Sequence, residues 1–190
     1  MRRSAGLMAL LAVVFLAQPA RADQTVTVAS FSFTPGQVTA SLGETITFDN
    51  TSLTGHTSTS DDGFWNTGTI AAGTSRDVDL VSAGTFPYHC AIHTIMQGVI
   101  AVPVQVSPAG PVHTGTKLTV AFAARDVGGR TYVVQRKIGA KPWTAMNVKE
   151  GSVSVTLKAK KAGTYRFRAA LVANGVTSAF SPVAMVKVKP

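Results

Sequence analysis

Short runs of alternating apolar and polar residues recur along this chain, whereas helix periodicity is nearly absent after residue 22. Alternating side chains point to opposite faces of a strand, so each run predicts a strand with one buried face. Clusters of Gly, Asn, Ser and Asp separate the runs, as turns require. The sequence therefore predicts an all-β fold of Greek-key sandwiches. The clearest runs are residues 25–28, 44–48, 76–80, 99–102, 117–123, 131–137, 152–158, 164–171 and 183–188.

The N-terminus has the parts of a secretory signal. Two arginines precede an apolar stretch over residues 7–17, and an Ala-Arg-Ala sequence ending at Ala22 matches the small-x-small pattern of a cleavage site. The apolar stretch is too short to cross a bilayer by itself, so we expect residues 1–22 to be a removed signal peptide. No later segment is apolar enough to span a membrane. The mature protein is predicted to be exported, to the periplasm or out of the cell.

Charge divides the remaining chain into two halves of opposite sign. Residues 23–107 contain one basic and seven acidic residues, a net charge of −6, whereas residues 108–190 contain fourteen basic and two acidic residues, a net charge of +12. Such an asymmetry favours two domains. Two prolines and a glycine in residues 108–111 would interrupt any strand there. The sequence therefore predicts a domain over residues 23–107, a linker over 108–111 and a second domain over 112–190.

Cys90 is the single cysteine of the chain. In an exported protein, an unpaired cysteine indicates an intermolecular bridge, a free thiol or a metal ligand. Its neighbours favour a metal ligand, because His93 follows after two residues and Met96 after two more. We expect Cys90 to end one strand and His56 to begin a neighbouring strand at the same end of the sandwich. Four donors are thus predicted to meet there.

The donor types narrow the choice of metal. One thiolate and two imidazoles in a trigonal set, with a weak axial thioether, suit copper in both of its oxidation states. Structural zinc favours more thiolates and has no use for methionine. The four ligands His56, Cys90, His93 and Met96 therefore predict a single copper ion as the cofactor.

The sequence around these ligands resembles the cupredoxins, plastocyanin-like type 1 blue copper proteins. The resemblance covers about residues 24–106 and implies a Greek-key cupredoxin sandwich for that half. It also implies that Gly55 and Thr57 lie behind the ligands, although the family commonly has asparagine where Thr57 stands. The segments that carry the resemblance are Phe33-Thr34-Pro35, Val38, residues 43–50, Gly55-His56, Gly84-Thr85, Tyr88-His89-Cys90 and residues 98–102.

The same resemblance implies one-electron transfer between redox partner proteins. In the family, electrons pass through the second loop histidine, which lies in an apolar surface patch; here Leu53, Ile92 and Ile95 would surround His93. No enzymatic activity is expected, because four protein ligands leave no open position for a substrate. The alternative is a copper-binding module for storage, sensing or delivery, although the chain lacks the exposed methionine-rich or histidine-rich tracts that such carriers use.

The basic C-terminal half resembles fibronectin type III or other immunoglobulin-like modules in its strand rhythm. The resemblance is carried by residues 132–136, 163–169 and 178–182, and it implies a second β-sandwich. A net charge of +12 favours either an anionic cell-envelope surface as a partner or a solvated spacer. Nucleic acid fits the charge but not the export signal.

Overall fold

The computed structural model describes residues 23–190, and each regular element in that range is a β-strand. The all-β prediction is therefore confirmed. The predicted signal peptide, residues 1–22, lies outside the described residues. Within the described part of the chain, no helix is long and apolar enough to cross a membrane.

Eight strands form two four-stranded sheets, which we call the N-terminal sandwich. One sheet has the strand order β2-β1-β4-β6 and the other has the order β3-β8-β7-β5, with parallel pairs β1–β4 and β3–β8. These strands are β1 (Gln24–Ala29), β2 (Ser32–Thr34), β3 (Gln37–Thr39), β4 (Thr45–Asn50), β5 (Thr59–Ser60), β6 (Ser75–Asp79), β7 (Gly84–His89) and β8 (Gln97–Val102).

Two-residue alternation builds the core of this sandwich. In β4, every second residue is buried, and β7 shows the same pattern, so each strand gives one face to the core. Antiparallel pairing of β7 with β8 sets His89 opposite Gln97. The short loop that follows β7 therefore returns at once to the neighbouring strand, and its residues all lie at one end of the sandwich.

Nine further strands form the C-terminal sandwich. A three-stranded sheet has the order β14-β11-β9, and the other sheet has the order β10-β17-β15-β12-β13, with β16 added to β15. These strands are β9 (Gln105–Ser107), β10 (Val112–His113), β11 (Lys117–Ala121), β12 (Arg130–Ile138), β13 (Thr144–Ala145), β14 (Ser154–Lys158), β15 (Gly163–Ala173), β16 (Val176–Thr177) and β17 (Ala184–Lys189).

The change from one pair of sheets to the other falls between Val102 and Gln105. Strand β9 pairs with β11, so it belongs to the C-terminal sandwich although it precedes the predicted linker at 108–111. The linker segment thus lies between two strands of the same sandwich. The division of the chain into two separately folding domains stays a prediction.

A tyrosine near the start of β15 fixes a corner of the C-terminal sandwich. The Tyr165 hydroxyl donates to the carbonyl of Lys161 at 3.1 Å, and its ring is buried. A tyrosine bonded to the backbone just upstream of its strand is typical of immunoglobulin-like sandwiches. Phe167 is fully buried, and Ala159 is buried between two exposed lysines. The resemblance to immunoglobulin-like modules therefore extends to their side-chain packing.

The two sandwiches contact each other at the start of β7. The Ala83 amide donates to the Phe122 carbonyl at 2.8 Å, and the Thr85 amide donates to the Ala179 carbonyl at 3.0 Å. Buried residues of both sandwiches form one continuous hydrophobic cluster. Cys90 follows the other end of β7, about 17 Å away at the usual rise of a strand. The C-terminal sandwich therefore lies at the end of β7 that is remote from Cys90.

The contact between Gly98 and the Tyr88 ring gives a stability prediction. A Cβ atom at Gly98 would overlap the Tyr88 ring, which is packed against Phe33 with ring centroids 4.8 Å apart and cannot move aside. We expect Gly98→Ala to lower the free energy of unfolding by about 1–3 kcal/mol, as overpacking does. Denaturant unfolding of the metal-free protein measures this change. Gly128→Ala is the matched control, because nothing lies within 4 Å of its Cβ position; equal effects of the two substitutions would contradict the packing argument.

Candidate metal centre

Three of the four predicted ligands present their donor atoms to one another. Cys90 Sγ lies 3.8 Å from His56 Nδ1 and 3.7 Å from His93 Nδ1, and the two Nδ1 atoms are 3.1 Å apart. Among the described residues, this is the one group of three or more His, Cys, Asp or Glu side chains close enough to hold a metal ion. His56 and Cys90 are fully buried, and His93 is half-buried.

These separations fit a metal bound at the centre of the triangle. Typical bonds of about 2.0 Å to nitrogen and 2.3 Å to sulfur, at angles near 120°, separate nitrogen from sulfur by about 3.7 Å. Both observed distances from Cys90 Sγ agree with that value. The two sulfur-to-nitrogen distances therefore suit a single ion between the donors, and a thiolate with two imidazoles is a ligand set that suits copper.

A buried hydrogen-bond network orients His56. Its Nε2 lies 3.0 Å from the Ser52 hydroxyl, which in turn donates to Asn50 Oδ1 at 2.7 Å. The Asn50 amide donates to the carbonyls of Thr54 and Ile70, so the asparagine ties the ligand loop to the neighbouring segment. A proton on Nε2 leaves the lone pair of Nδ1 free to bind a metal. A hydrogen bond to one ring nitrogen commonly selects the other as the metal-binding nitrogen in this way.

Burial also favours the neutral form of His56. Removal from water lowers its pKa below the ordinary value, and the neighbouring His93 adds to the shift in the same direction. A metal binds the neutral imidazole, so protons compete less with the metal at this position than at an exposed histidine.

Thr57 joins the two ligand loops. Its amide donates to Cys90 Sγ at 3.3 Å, and its hydroxyl accepts from the Ala91 amide at 2.8 Å. The Thr57 side chain thus bridges the two loops from the position at which the family that the sequence resembles commonly has asparagine. Gly55 lies on the same loop, and a Cβ atom there would come within 3.0 Å of the Thr69 side chain. This close approach accounts for a small residue just before His56.

Met96 closes the ligand loop through two backbone hydrogen bonds. Its amide donates to the His93 carbonyl at 3.0 Å, and its carbonyl accepts from the Cys90 amide at 3.1 Å. The Met96 side chain is buried. Its role as the axial ligand stays a prediction.

Exposed apolar side chains lie on the loops that carry His56 and His93 and on the turn between β1 and β2. Leu53, Ile92 and Ile95 are 95%, 52% and 77% exposed, and the Phe31 ring, 55% exposed, meets the His93 imidazole edge to face with centroids 5.1 Å apart. We call these four side chains the apolar patch. Sequence reasoning missed Phe31, because the turn that carries it lies more than sixty residues from His93 along the chain.

Other residues near the ligands have structural surroundings. The prediction that His56 begins a strand is wrong. His56 forms an isolated bridge with Ile70 in a loop, because the polar network behind its ring takes the place of regular strand pairing. Trp65 packs against the core, and its indole N–H donates to the Ser58 hydroxyl at 3.1 Å. His89, on the opposite face of β7 from Cys90, contacts Asp61 at 2.6 Å. The sequence offered no signal for Ser52 beyond its place in a polar turn, and Asn50 appeared only as the last residue of a segment that carries the family resemblance.

Comparisons with known proteins bear on this site. A family model for a cupredoxin-like domain matches residues 5–102. An oxidised methionine-to-lysine variant of amicyanin is similar at 20% identity, covering 42% of this chain and 81% of its own, with a TM-score of 0.40. A reduced Cu(I) form of an amicyanin variant at pH 4 is similar at 23% identity, covering 45% of this chain and 87% of its own, with a TM-score of 0.41. A purple cupredoxin from Nitrosopumilus maritimus is similar at 18% identity, covering 42% of this chain and 99% of its own, with a TM-score of 0.40. No curated protein gives a significant match.

The family model extends over slightly more than half of the chain and includes all four predicted ligands. Its described part coincides with the N-terminal sandwich, at one end of which the thiolate and the two imidazoles converge. This chain therefore belongs to the cupredoxin-like family, with copper as the metal that its cluster of His56, Cys90 and His93 is positioned to bind.

Proposed function

We propose that this protein is an exported type 1 copper protein that carries single electrons between redox partner proteins. Bound copper would supply the one-electron chemistry by cycling between Cu(I) and Cu(II). The observation that carries the proposal is the triangle of donor atoms, whose two sulfur-to-nitrogen separations match those of a metal-bound set. A site of this kind favours fast electron exchange, because little has to move when the charge changes.

The protein holds each donor in place by contacts of its own. Ser52 orients the His56 ring, the Thr57 amide donates to the Cys90 sulfur, and the Thr57 hydroxyl holds the residue after Cys90. The hydrogen bond to sulfur also stabilises negative charge on the thiolate. These contacts resist the geometric change that copper would otherwise undergo between its two oxidation states.

His93 offers the route for the electron. Its ring carries a donor atom on one side and lies within the apolar patch on the other, next to Phe31. A small apolar surface without fixed charges suits a partner that binds briefly and leaves quickly. The partner proteins are therefore expected to contact the apolar patch.

Burial weighs against copper delivery as the main role. A carrier exchanges its metal with other proteins, which requires donors that an incoming ligand can reach. His56 and Cys90 have no exposed surface, and Met96 is 1% exposed. With Met96 as the fourth ligand, no position remains for a substrate, which favours electron transfer over catalysis.

Replacement of the cysteine tests the copper assignment. We expect the copper(II)-loaded protein to be intensely coloured and Cys90→Ser to lose that colour, because the absorption requires the thiolate on the metal. Visible and EPR spectra measure this, with metal content determined in parallel. His89→Ala is the matched control and should keep the colour, since His89 points away from the site toward Asp61. A colourless protein that retains Cys90 and prefers zinc to copper would contradict the proposal.

Removal of the Thr57 hydroxyl tests the link between the ligand loops. Thr57→Val leaves the Ala91 amide without its acceptor, so we expect the free energy of unfolding to fall by about 1–3 kcal/mol, with all four predicted ligands kept. Denaturant unfolding and hydrogen exchange at Ala91 measure the effect. Thr45→Val is the control, because the Thr45 hydroxyl makes only an exposed bond to Asp79. Unchanged exchange at Ala91 would show that the bridge is not needed.

A charge in the apolar patch tests the route of the electron. Leu53→Asp would place like charges face to face when two molecules meet through this surface, so we expect electron self-exchange to slow by about tenfold or more. NMR line broadening in mixtures of oxidised and reduced protein measures the rate. Met185→Asp adds the same charge at an exposed apolar residue of the C-terminal sandwich and should have little effect. Equal slowing by both substitutions would argue against the patch.

A further inference from the structure

The basic residues of the C-terminal sandwich gather at one end. This distal end comprises the starts of β11 and β15 and the ends of β12, β14 and β17, together with the turns that join them. The opposite ends of β11 and β15 lie toward the N-terminal sandwich, which is contacted by Ala123 and Leu171. Ten of the fourteen basic residues of the C-terminal half lie at or near the distal end: Lys117, Arg136, Lys137, Lys141, Lys158, Lys160, Lys161, Arg166, Lys187 and Lys189.

Two cross-strand pairs at the distal end place like charges directly opposite each other. Lys117 pairs with Lys158 between β11 and β14, and Lys137 pairs with Arg166 between β12 and β15. Like charges at such positions destabilise a sheet. The two ion pairs found in the described part of the chain both involve aspartates of the N-terminal sandwich, so neither neutralises these residues. The protein thus retains an unfavourable concentration of charge at this end.

Acidic residues are placed at the other end of the same sandwich. The carboxylate of Asp126 lies close to Gly151, and Glu150 lines a pocket with Arg130, whose guanidinium donates to Ser82 of the N-terminal sandwich at 3.2 Å. No other acidic residue follows residue 107. Charge is therefore sorted along the strands, and neither acidic side chain of this sandwich lies at the distal end.

A groove crosses the distal end between the β12–β13 turn and the β14–β15 turn. It encloses about 820 Å³, and its charged lining residues are all cations: Arg136, Lys141, Lys158, Lys160 and Lys161. The four lysines are exposed, and the described residues provide no side-chain partner for any of the five. Small residues at the turns, Gly139, Ala140 and Ala162, leave the lysine side chains as the most prominent groups.

We propose that the distal end binds the surface of an anionic phospholipid bilayer, with headgroup phosphates as the groups recognised. The cations cover a broad end and both sheets rather than one narrow track, which suits a flat charged surface better than a single polymer strand. The groove is lined by no acidic side chain and by one aromatic side chain, Tyr165, which is buried and bonds to the backbone, so the groove offers no ring for stacking on a sugar. Binding is electrostatic and without insertion.

This placement leaves the copper end free. The groove lies at the start of β15, about 26 Å along that strand from Leu171 at the contact between the sandwiches. The apolar patch lies beyond the other end of β7, on the far side of that contact. A protein held at the distal end would keep His93 accessible to a redox partner. The bilayer contact itself does not depend on the proposed electron transfer.

Vesicle sedimentation of the copper-loaded protein tests the proposal. We expect binding to vesicles of phosphatidylcholine with about 30 mol% phosphatidylglycerol, no binding to pure phosphatidylcholine, and release at about 0.5 M NaCl. Each basic residue near such a surface raises partitioning roughly fivefold. Lys160→Gln with Lys161→Gln should therefore weaken binding about 25-fold. Both side chains are exposed, so thermal unfolding should confirm that this variant still folds.

The matched control removes two exposed charges away from the distal end, with Arg76→Gln and Lys149→Gln. It should weaken binding less than about fivefold. Equal losses in the two variants would show that only net charge matters and would overturn the proposal, as would an absence of binding at low salt. Salt-sensitive self-association without vesicles, abolished by the lysine variant, would assign the distal end to the acidic sandwich of a second copy and would also overturn it.

Discussion

The antiparallel pairing of β7 with β8 is the interaction on which both ends of the N-terminal sandwich depend. At one end, the pair is closed by the Cys90–Met96 loop, whose backbone hydrogen bond at 3.1 Å brings a thiolate, an imidazole and a thioether into one turn. At the other end, Ala83 and Thr85 bond to the C-terminal sandwich. A change in the register of this pair would displace the ligand loop and the contact between the sandwiches together.

The copper site is a rigid pocket built by polar groups inside an apolar core. Asn50, Ser52 and His56 are all buried, and their polar atoms bond to one another or to the backbone. A fully satisfied buried network restricts the side chains that it contains, whereas an unsatisfied one is strongly destabilising. This restraint explains how His56 can meet the closely spaced Cys90 and His93 at fixed distances although it is distant from them in the sequence.

The alternation pattern predicted the strands closely, because the side chains of a half-buried strand must alternate. Residues 44–48, 76–80 and 164–171 each coincide with a strand, with bounds that differ by one or two residues. The cluster of His56, Cys90 and His93 could also be predicted, since the residue types and their spacing follow from coordination chemistry. The pattern could not show that His56 lies in a loop with an isolated bridge. Its neighbours are polar residues, and the Ser52 side chain bonds to the His56 ring instead of to a strand.

The amino-acid sequence by itself determined the all-β class, the donors available to a metal and the opposite charges of the two halves. Only the tertiary structure decided that Phe31 completes the apolar patch, that Thr57 joins the ligand loops, and that basic residues collect at the end of the C-terminal sandwich remote from its contact with the copper-binding half. The reason is physical. Residue types and local periodicity are properties of neighbours along the chain, whereas hydrogen bonds and charge clusters depend on distances that strand pairing alone creates.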